Sequence, residues 1–203
     1  PHTGQILAMA NYPKFDPQNL PASRLDATKN RAVVDIFEPG SITKALVVAS
    51  ALDKGLIKVN EQHNCEKNGK LRVGGHYIND DHPHEFLDTE GVLVKSSNIC
   101  MYKIAQKLNP LGLANALKKF GIGNPELRLG FAGEVGGRIA SHESWKEIRF
   151  ANIAFGQGFS VTGLEMVAAY GAIANGGQLY KPYLVSQVIS PSGDTESMQS
   201  AEA

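Results

Sequence analysis

The sequence has little of what marks several common protein classes. Its 203 residues include only two cysteines, and lysine and arginine balance aspartate and glutamate at 20 each. Two cysteines are too few for a disulfide framework, and a net charge of zero gives no attraction for nucleic acid. No stretch approaches the roughly 18 apolar residues that a membrane-spanning helix needs. Composition therefore excludes a disulfide-rich scaffold and argues against nucleic acid as a partner.

The two cysteines, Cys65 and Cys100, lie too far apart in the sequence to form a zinc knuckle. One bridge between them is available in an oxidising compartment, whereas buried free thiols need no such setting. We expect buried free thiols. Neither cysteine has the histidine neighbour that would favour a nucleophilic role.

Histidines and acids are concentrated in one polar segment, Asp80-Asp81-His82-Pro83-His84-Glu85, with His76 nearby. These residue types can bind metal ions, but their spacing fits no standard zinc pattern. We therefore do not predict a functional metal site.

What the sequence does contain is an ordinary globular composition, with 42% apolar and 20% charged residues. Apolar periodicity and turn residues predict a mainly helical body with strands near both ends, an α+β arrangement of a helical cluster on a sheet. The predicted helices cover 45–56, 98–107, 111–120, 145–153 and 162–175, the predicted strands cover 4–10 and 183–189, and a hairpin is centred on 67–70.

The most informative motif is Ser41 followed three residues later by Lys44, at the start of a predicted helix. Residues three apart lie on one helix face, so the hydroxyl and the amine are neighbours. A lysine whose pKa is lowered by burial can activate a serine, and the helix N-terminus supplies N–H groups for an oxyanion. The alternative is that Ser41 only caps the helix and Lys44 is solvated.

A second pair, Ser96 and Asn98, stands just before the predicted helix 98–107. The Ser96 hydroxyl could relay a proton between Lys44 and a leaving amine, and the Asn98 amide could hold a substrate carbonyl. Serine and asparagine are also favoured helix caps, so a purely structural role stays open.

Ser-x-x-Lys followed by Ser-x-Asn resembles the penicillin-binding proteins and serine β-lactamases. The wider sequence is similar to the transpeptidase domain of class B penicillin-binding proteins, from the opening strand to about Tyr183. The strings that carry this resemblance are Thr3-Gly4-Gln5-Ile6-Leu7-Ala8-Met9-Ala10, Asn30-Arg31-Ala32, Phe37-Glu38-Pro39-Gly40-Ser41, Ser96-Ser97-Asn98-Ile99, Phe155-Gly156-Gln157-Gly158-Phe159 and Ala168-Ala169-Tyr170-Gly171-Ala172.

The resemblance implies a helical cluster packed on an antiparallel sheet, and a D-Ala-D-Ala transpeptidase that cross-links peptidoglycan stem peptides. Ser41 would attack the penultimate D-alanyl carbonyl, Lys44 would be its base, Ser96 would pass the proton to the departing D-alanine, and Asn98 would bind the substrate backbone. β-Lactam antibiotics would acylate the same serine. No metal or cofactor is implied.

The family's third motif, Lys-[Ser/Thr]-Gly, is missing from this sequence. The strings Lys67-Asn68-Gly69 and Lys119-Phe120-Gly121 have the wrong middle residue and precede the glycine turn at 156–158. We therefore expect one transpeptidase-like domain over 1–203, cut short at both ends, without the C-terminal sheet strands and poorly active alone.

The resemblance also implies an extracytoplasmic location, at the periplasmic face of the bacterial inner membrane. The membrane anchor would lie in a segment outside this sequence, and the parent protein would contact other cell-wall assembly proteins in division or cell-shape control. Two alternatives stay open: a serine β-lactamase or β-lactam sensor, and a non-catalytic scaffold module.

Overall fold

The computed structural model describes residues 1–197. Six α-helices lie in this part of the chain: α1 (Arg31–Val34), α2 (Thr43–Asp53), α3 (Thr89–Val94), α4 (Asn98–Lys119), α5 (Glu147–Ala154) and α6 (Gly163–Ala174). Eight short strands pair two by two: β1 (Ile36–Phe37), β2 (Gln62–Asn64), β3 (Lys70–Val73), β4 (His76–Asn79), β5 (Phe86–Asp88), β6 (Val161–Thr162), β7 (Gln187–Ile189) and β8 (Thr195–Ser197).

Every strand pair is antiparallel: β1 with β6, β2 with β5, β3 with β4 and β7 with β8. Helices together with antiparallel strands confirm the predicted α+β class. No helix in residues 1–197 is long and apolar enough to cross a membrane.

One compact unit consists of residues 38–120 and 138–160. Its core is the packing of α2 on α4, and α5 packs against both helices. Leu46 and Val47 from α2 and Ile104 from α4 are almost completely buried there. Burial of a side chain of this size contributes about 1.5–3 kcal/mol, so this apolar contact is what fixes the start of α2 relative to α4.

The long helix α4 is two helices joined by a kink, as the sequence predicts. Asn109 interrupts it with φ 59° and ψ 170°, and Pro110 follows. Proline cannot donate the helical hydrogen bond and disfavours helical backbone in the residue before it. The first segment therefore ends near Leu108, close to the predicted end at 107.

The predicted hairpin at 67–70 is displaced along the chain. The strands that pair are β3 and β4, and Gly74-Gly75 forms their turn with φ 54° and 85°. Two consecutive residues with positive φ are what a tight two-residue hairpin turn requires. Gly69 instead closes the turn that leads into β3, through its N–H to the Glu66 carbonyl.

The other compact unit consists, within the described residues, of 1–37, 121–137 and 161–197. Helix α6 begins with a capping box, in which Thr162 and Glu165 satisfy each other's backbone N–H groups. The buried Glu165 carboxylate also accepts hydrogen bonds from the N–H groups of Gly123 and Gly137. One acidic side chain thus ties two loop positions to the start of α6.

The predicted opening strand at 4–10 is wrong as a regular strand. Gln5 forms an isolated parallel bridge with Tyr183, and Ile6 N–H donates to the Tyr183 carbonyl at 3.0 Å. A β-ladder needs a partner along its length. In the described residues this segment has a backbone partner only around Tyr183, so a short apolar run alone does not produce a strand.

The expectation of free thiols is also wrong, because Cys65 and Cys100 form a disulfide. Cys65 follows β2, and Cys100 lies in the first turn of α4 with its Cα 4.9 Å from that of Cys65, within the range that a bridge requires. Both residues are fully buried. Their separation in sequence carries no information about this distance, which the packing of β2 beside α4 sets.

Replacing both cysteines with alanine is expected to lower the free energy of unfolding by about 3–4 kcal/mol, since the bridge closes a loop spanning 35 residues in the unfolded chain. Urea unfolding of the wild type and of the double variant measures the difference. Reducing agent should lower the urea midpoint of the wild type but leave that of the double variant unchanged. A difference below about 1 kcal/mol would contradict the expected effect on the unfolded chain.

Candidate active site

The site is built around Ser41, which lies in a single 3-10 turn, Gly40–Ile42, immediately before α2. Pro39 precedes the turn, and Gly40 has a positive φ of 59°, which residues other than glycine rarely adopt. The Ser41 side chain is exposed, whereas Lys44 in the first turn of α2 is only 2% exposed. The hydroxyl therefore faces solvent beside an amine that points into the protein.

The Lys44 ammonium is surrounded by oxygen atoms from the turn that precedes α4. Its Nζ donates to the Ser96 carbonyl at 2.6 Å, to Ser96 Oγ at 2.9 Å and to Asn98 Oδ1 at 2.7 Å. These three acceptors lie more than fifty residues along the chain from Lys44. The structure thus brings Lys44, Ser96 and Asn98 together as the two motifs predict.

Burial lowers the pKa of Lys44 from its ordinary value of 10.5 to about 8. The Asp80 and Asp81 carboxylates act in the opposite direction, because negative charge favours the ammonium form. A pKa of about 8 means that about one Lys44 in ten is a neutral amine at pH 7. This side chain can accept a proton near neutral pH, which an exposed lysine cannot.

Ser96 links Ser41 to Lys44. Its hydroxyl donates to Ser41 Oγ at 3.1 Å while accepting from Lys44 Nζ. Within residues 1–197 the hydrogen bonds of the Lys44 ammonium go to Ser96 and Asn98, so the path from Ser41 to the amine runs through the Ser96 hydroxyl. A hydroxyl that donates and accepts at once can pass a proton in either direction.

The turn that carries Ser96 has an unusual backbone. Ser96 has φ 54°, in the left-handed region, and is one of three non-glycine residues with positive φ in residues 1–197. The next residue, Ser97, is buried and caps α4 by accepting from the Cys100 N–H. The helix cap is therefore Ser97, which the sequence did not single out, whereas Ser96 and Asn98 turn towards Lys44.

The glycine turn at 156–158 is bonded to the turn that presents Ser41. Gly40 N–H donates to the Gly156 carbonyl at 2.8 Å, and Gly158 N–H donates to Glu38 Oε1 at 2.9 Å. A Cβ on Gly156 would lie 1.9 Å from the Gly40 carbonyl oxygen, so only glycine fits. The sequence carries no local signal for this contact between the glycine turn and the nucleophile turn.

Sequence reasoning missed the position of Asp80, which it treated as one of several possible metal ligands. Its carboxylate contacts the N-terminus of α4, and no cluster of three His, Cys, Asp or Glu side chains in residues 1–197 is arranged to hold a metal ion. No local pattern signals this role, since the partners of Asp80 lie 17 to 19 residues further on.

An exposed serine connected through a second hydroxyl to a buried lysine is the arrangement of serine enzymes that use a lysine base for acyl transfer. The chain belongs to the penicillin-binding protein transpeptidase domain family, whose model matches residues 1–202. This finding confirms the resemblance noted in the sequence.

Individual relatives agree with the family. The chain is 36% identical over 190 residues to the peptidoglycan D,D-transpeptidase FtsI of Escherichia coli K12, an alignment that covers 94% of this chain and 32% of FtsI. It is 38% identical over 179 residues to PbpC of Pseudomonas aeruginosa, a probable peptidoglycan D,D-transpeptidase, covering 88% of this chain and 31% of PbpC. The chain thus spans about a third of the length of these relatives.

Among solved structures, penicillin-binding protein 3 of Mycobacterium tuberculosis, crystallised with aztreonam, superposes with a TM-score of 0.89 at 32% identity. The match covers 98% of this chain and 45% of that protein. The fold of the described chain is therefore that of a penicillin-binding transpeptidase domain.

Proposed function

We propose that this chain is part of a peptidoglycan D,D-transpeptidase that cross-links stem peptides through an acyl-serine intermediate on Ser41. The observation that carries the proposal is the continuous hydrogen-bond path from Ser41 Oγ through Ser96 Oγ to the buried Lys44 amine. Relatives that share the family are themselves D,D-transpeptidases.

The proposed acylation step follows the direction of these hydrogen bonds. With Lys44 charged, Lys44 donates to Ser96 and Ser96 donates to Ser41; once Lys44 is neutral, both bonds can reverse. Ser41 Oγ then bonds to the carbonyl carbon of the penultimate D-alanine, while its proton passes to Ser96 and the Ser96 proton to Lys44. The C–N bond breaks, and the departing D-alanine amine takes a proton back along the same path.

Two further groups support the acyl intermediate. The Ser41 N–H lies at the start of the helical segment, where N–H groups lack an acceptor within the helix, and can donate to the developing oxyanion. The Asn98 side chain is held between Lys44 and the Asn79 carbonyl, and in this proposal it binds the substrate backbone. The amine of a second stem peptide then attacks the ester, which forms the cross-link and frees Ser41.

The same site would react with β-lactam antibiotics, whose strained amide has the reactivity of the D-Ala-D-Ala bond. Penicillin-binding protein 3 of M. tuberculosis, crystallised with aztreonam and with ampicillin, supports this assignment. An extracytoplasmic location and contacts with cell-wall assembly proteins fit this function. The Cys65–Cys100 disulfide is a type of bond that forms in oxidising compartments. We further propose that residues 1–203 are one transpeptidase-like domain within a longer protein.

Incubating the full-length gene product with benzylpenicillin is expected to add one penicilloyl group, which peptide mapping places on Ser41. Intact-mass spectrometry detects the adduct, and Ser41→Ala should show none. A folded protein without an adduct would contradict the proposal and favour a scaffold role. Release of the adduct within seconds would instead indicate a β-lactamase.

A further inference from the structure

The carboxylate of Asp80 contacts the start of α4, although Asp80 lies outside that helix. It follows β4 directly, and its own N–H donates to the Gly69 carbonyl. Oδ1 accepts from the N–H groups of Asn98 at 2.6 Å and Ile99 at 3.1 Å, and Oδ2 accepts from Ser97 Oγ at 2.5 Å. Both carboxylate oxygens are thus occupied by three consecutive residues.

We propose that Asp80 is a positioning residue for acylation, because its carboxylate holds the turn at 96–98 in the conformation in which Ser96 and Asn98 reach Lys44. The first N–H groups of a helix have no acceptor within the helix, and a carboxylate satisfies them best. Here one carboxylate satisfies two of them and the Ser97 hydroxyl, which in turn caps Cys100.

The strained backbone of the turn explains why such an anchor is needed. Ser96 is held at φ 54°, a strained conformation for a serine that persists only where neighbouring bonds enforce it. The Ser96 carbonyl and hydroxyl both bond to Lys44, so relaxation of this residue would move two of the three acceptors away from the amine. Asp80 holds residues 97–99 in place and thereby fixes the strained backbone of Ser96.

Asp80 also acts on Lys44 through its charge, together with Asp81. Asp81 is exposed and shares this charge effect, but within residues 1–197 it makes no hydrogen bond to α4. Comparing substitutions at the two aspartates therefore distinguishes the effect of charge on Lys44 from the effect of holding the turn. Asp81→Asn, which removes only the charge, is the matched control.

The test uses the full-length gene product and two readouts. The first, which rests on the proposed function, is the rate of Ser41 acylation by a fluorescent penicillin between pH 6 and pH 9. The second is amide hydrogen exchange at Asn98 and Ile99, with α5 amides as an internal reference for global stability. This second readout does not depend on any activity.

Asp80→Ala is expected to lower the acylation rate at pH 9 about 10²-fold and to speed exchange at Asn98 and Ile99 selectively. Asp80→Asn keeps one acceptor oxygen, so its acylation rate at pH 9 should fall only about threefold to tenfold. This variant still tests the proposal if Asp80→Ala does not fold. Both asparagine variants should move the acid limb of the pH profile to lower pH, because each removes a charge that favours the Lys44 ammonium. Only Asp81→Asn should keep the wild-type rate at pH 9.

The proposal is overturned if Asp80→Asn and Asp80→Ala both acylate at pH 9 within twofold of the wild type. It is also overturned if exchange at Asn98 and Ile99 is unchanged, whatever the acylation rates. A wild type that is folded but never acylated would refute the proposed function, while the exchange data would still decide whether Asp80 holds the turn.

Discussion

Replacing Lys44 with methionine is expected to slow acylation of Ser41 by a β-lactam about 10³-fold, the loss typical of removing a general base. Methionine fills the buried space but can neither accept the proton relayed by Ser96 nor donate to Asn98 Oδ1. Both contributions to the site are lost together. Stopped-flow measurement of the second-order acylation rate gives the magnitude.

The pH profile separates loss of the base from a general loss of structure. The neutral amine is the base, so the wild-type rate should rise as the pH rises through the Lys44 pKa of about 8, by about tenfold between pH 7 and the plateau. In Lys44→Met this rise should disappear.

Lys54→Met supplies the matched control, because Lys54 is exposed and lies at the C-terminal end of the same helix. It should keep both the rate and the pH profile of the wild type. If Lys44→Met acylates within tenfold of the wild type, another group is the base.

Gly156→Ala is expected to be the most damaging small substitution outside the two motifs, with acylation reduced about 10²-fold or more. The added Cβ would lie 1.9 Å from the Gly40 carbonyl oxygen and 2.6 Å from the Gly40 nitrogen, whose N–H bonds to Gly156. The turn that presents Ser41 must move to relieve this contact. Positive φ at Gly156 adds strain, so the expected loss of stability is about 2–5 kcal/mol.

Gly158→Ala tests whether the effect comes from the contact or from the backbone conformation. Gly158 also has a positive φ, but its Cβ would meet only Ile153, at 3.9 Å. This variant should lose about 1–2 kcal/mol of stability and keep most of its acylation rate. If both variants lost the same acylation rate, the loss in Gly156→Ala would not come from displacement of the turn that presents Ser41. Thermal unfolding and acylation rates, measured in parallel, distinguish the outcomes.

Features that depend on near neighbours in the chain could be predicted from the sequence. Ser41 and Lys44 are three residues apart, so helical periodicity predicts them on one face, and Ser41 lies in the 3-10 turn that leads directly into α2. The kink near Pro110 and the cap of α6 at Thr162 follow from the chemistry of proline and of a capping box. The motifs also pointed to the family, which the family match confirms.

Features that join distant parts of the chain were decided by the tertiary structure. The Ser41–Ser96 hydrogen bond spans 55 residues, and the Cys65–Cys100 disulfide and the contact between Gly156 and Gly40 have no local signal. The Lys44 pKa likewise depends on burial between α2 and the turn before α4. Periodicity and capping report interactions over three or four residues, whereas these distances depend on how α2, α4 and the intervening strands pack. The sequence therefore determined which groups are present, and packing determined which of them touch.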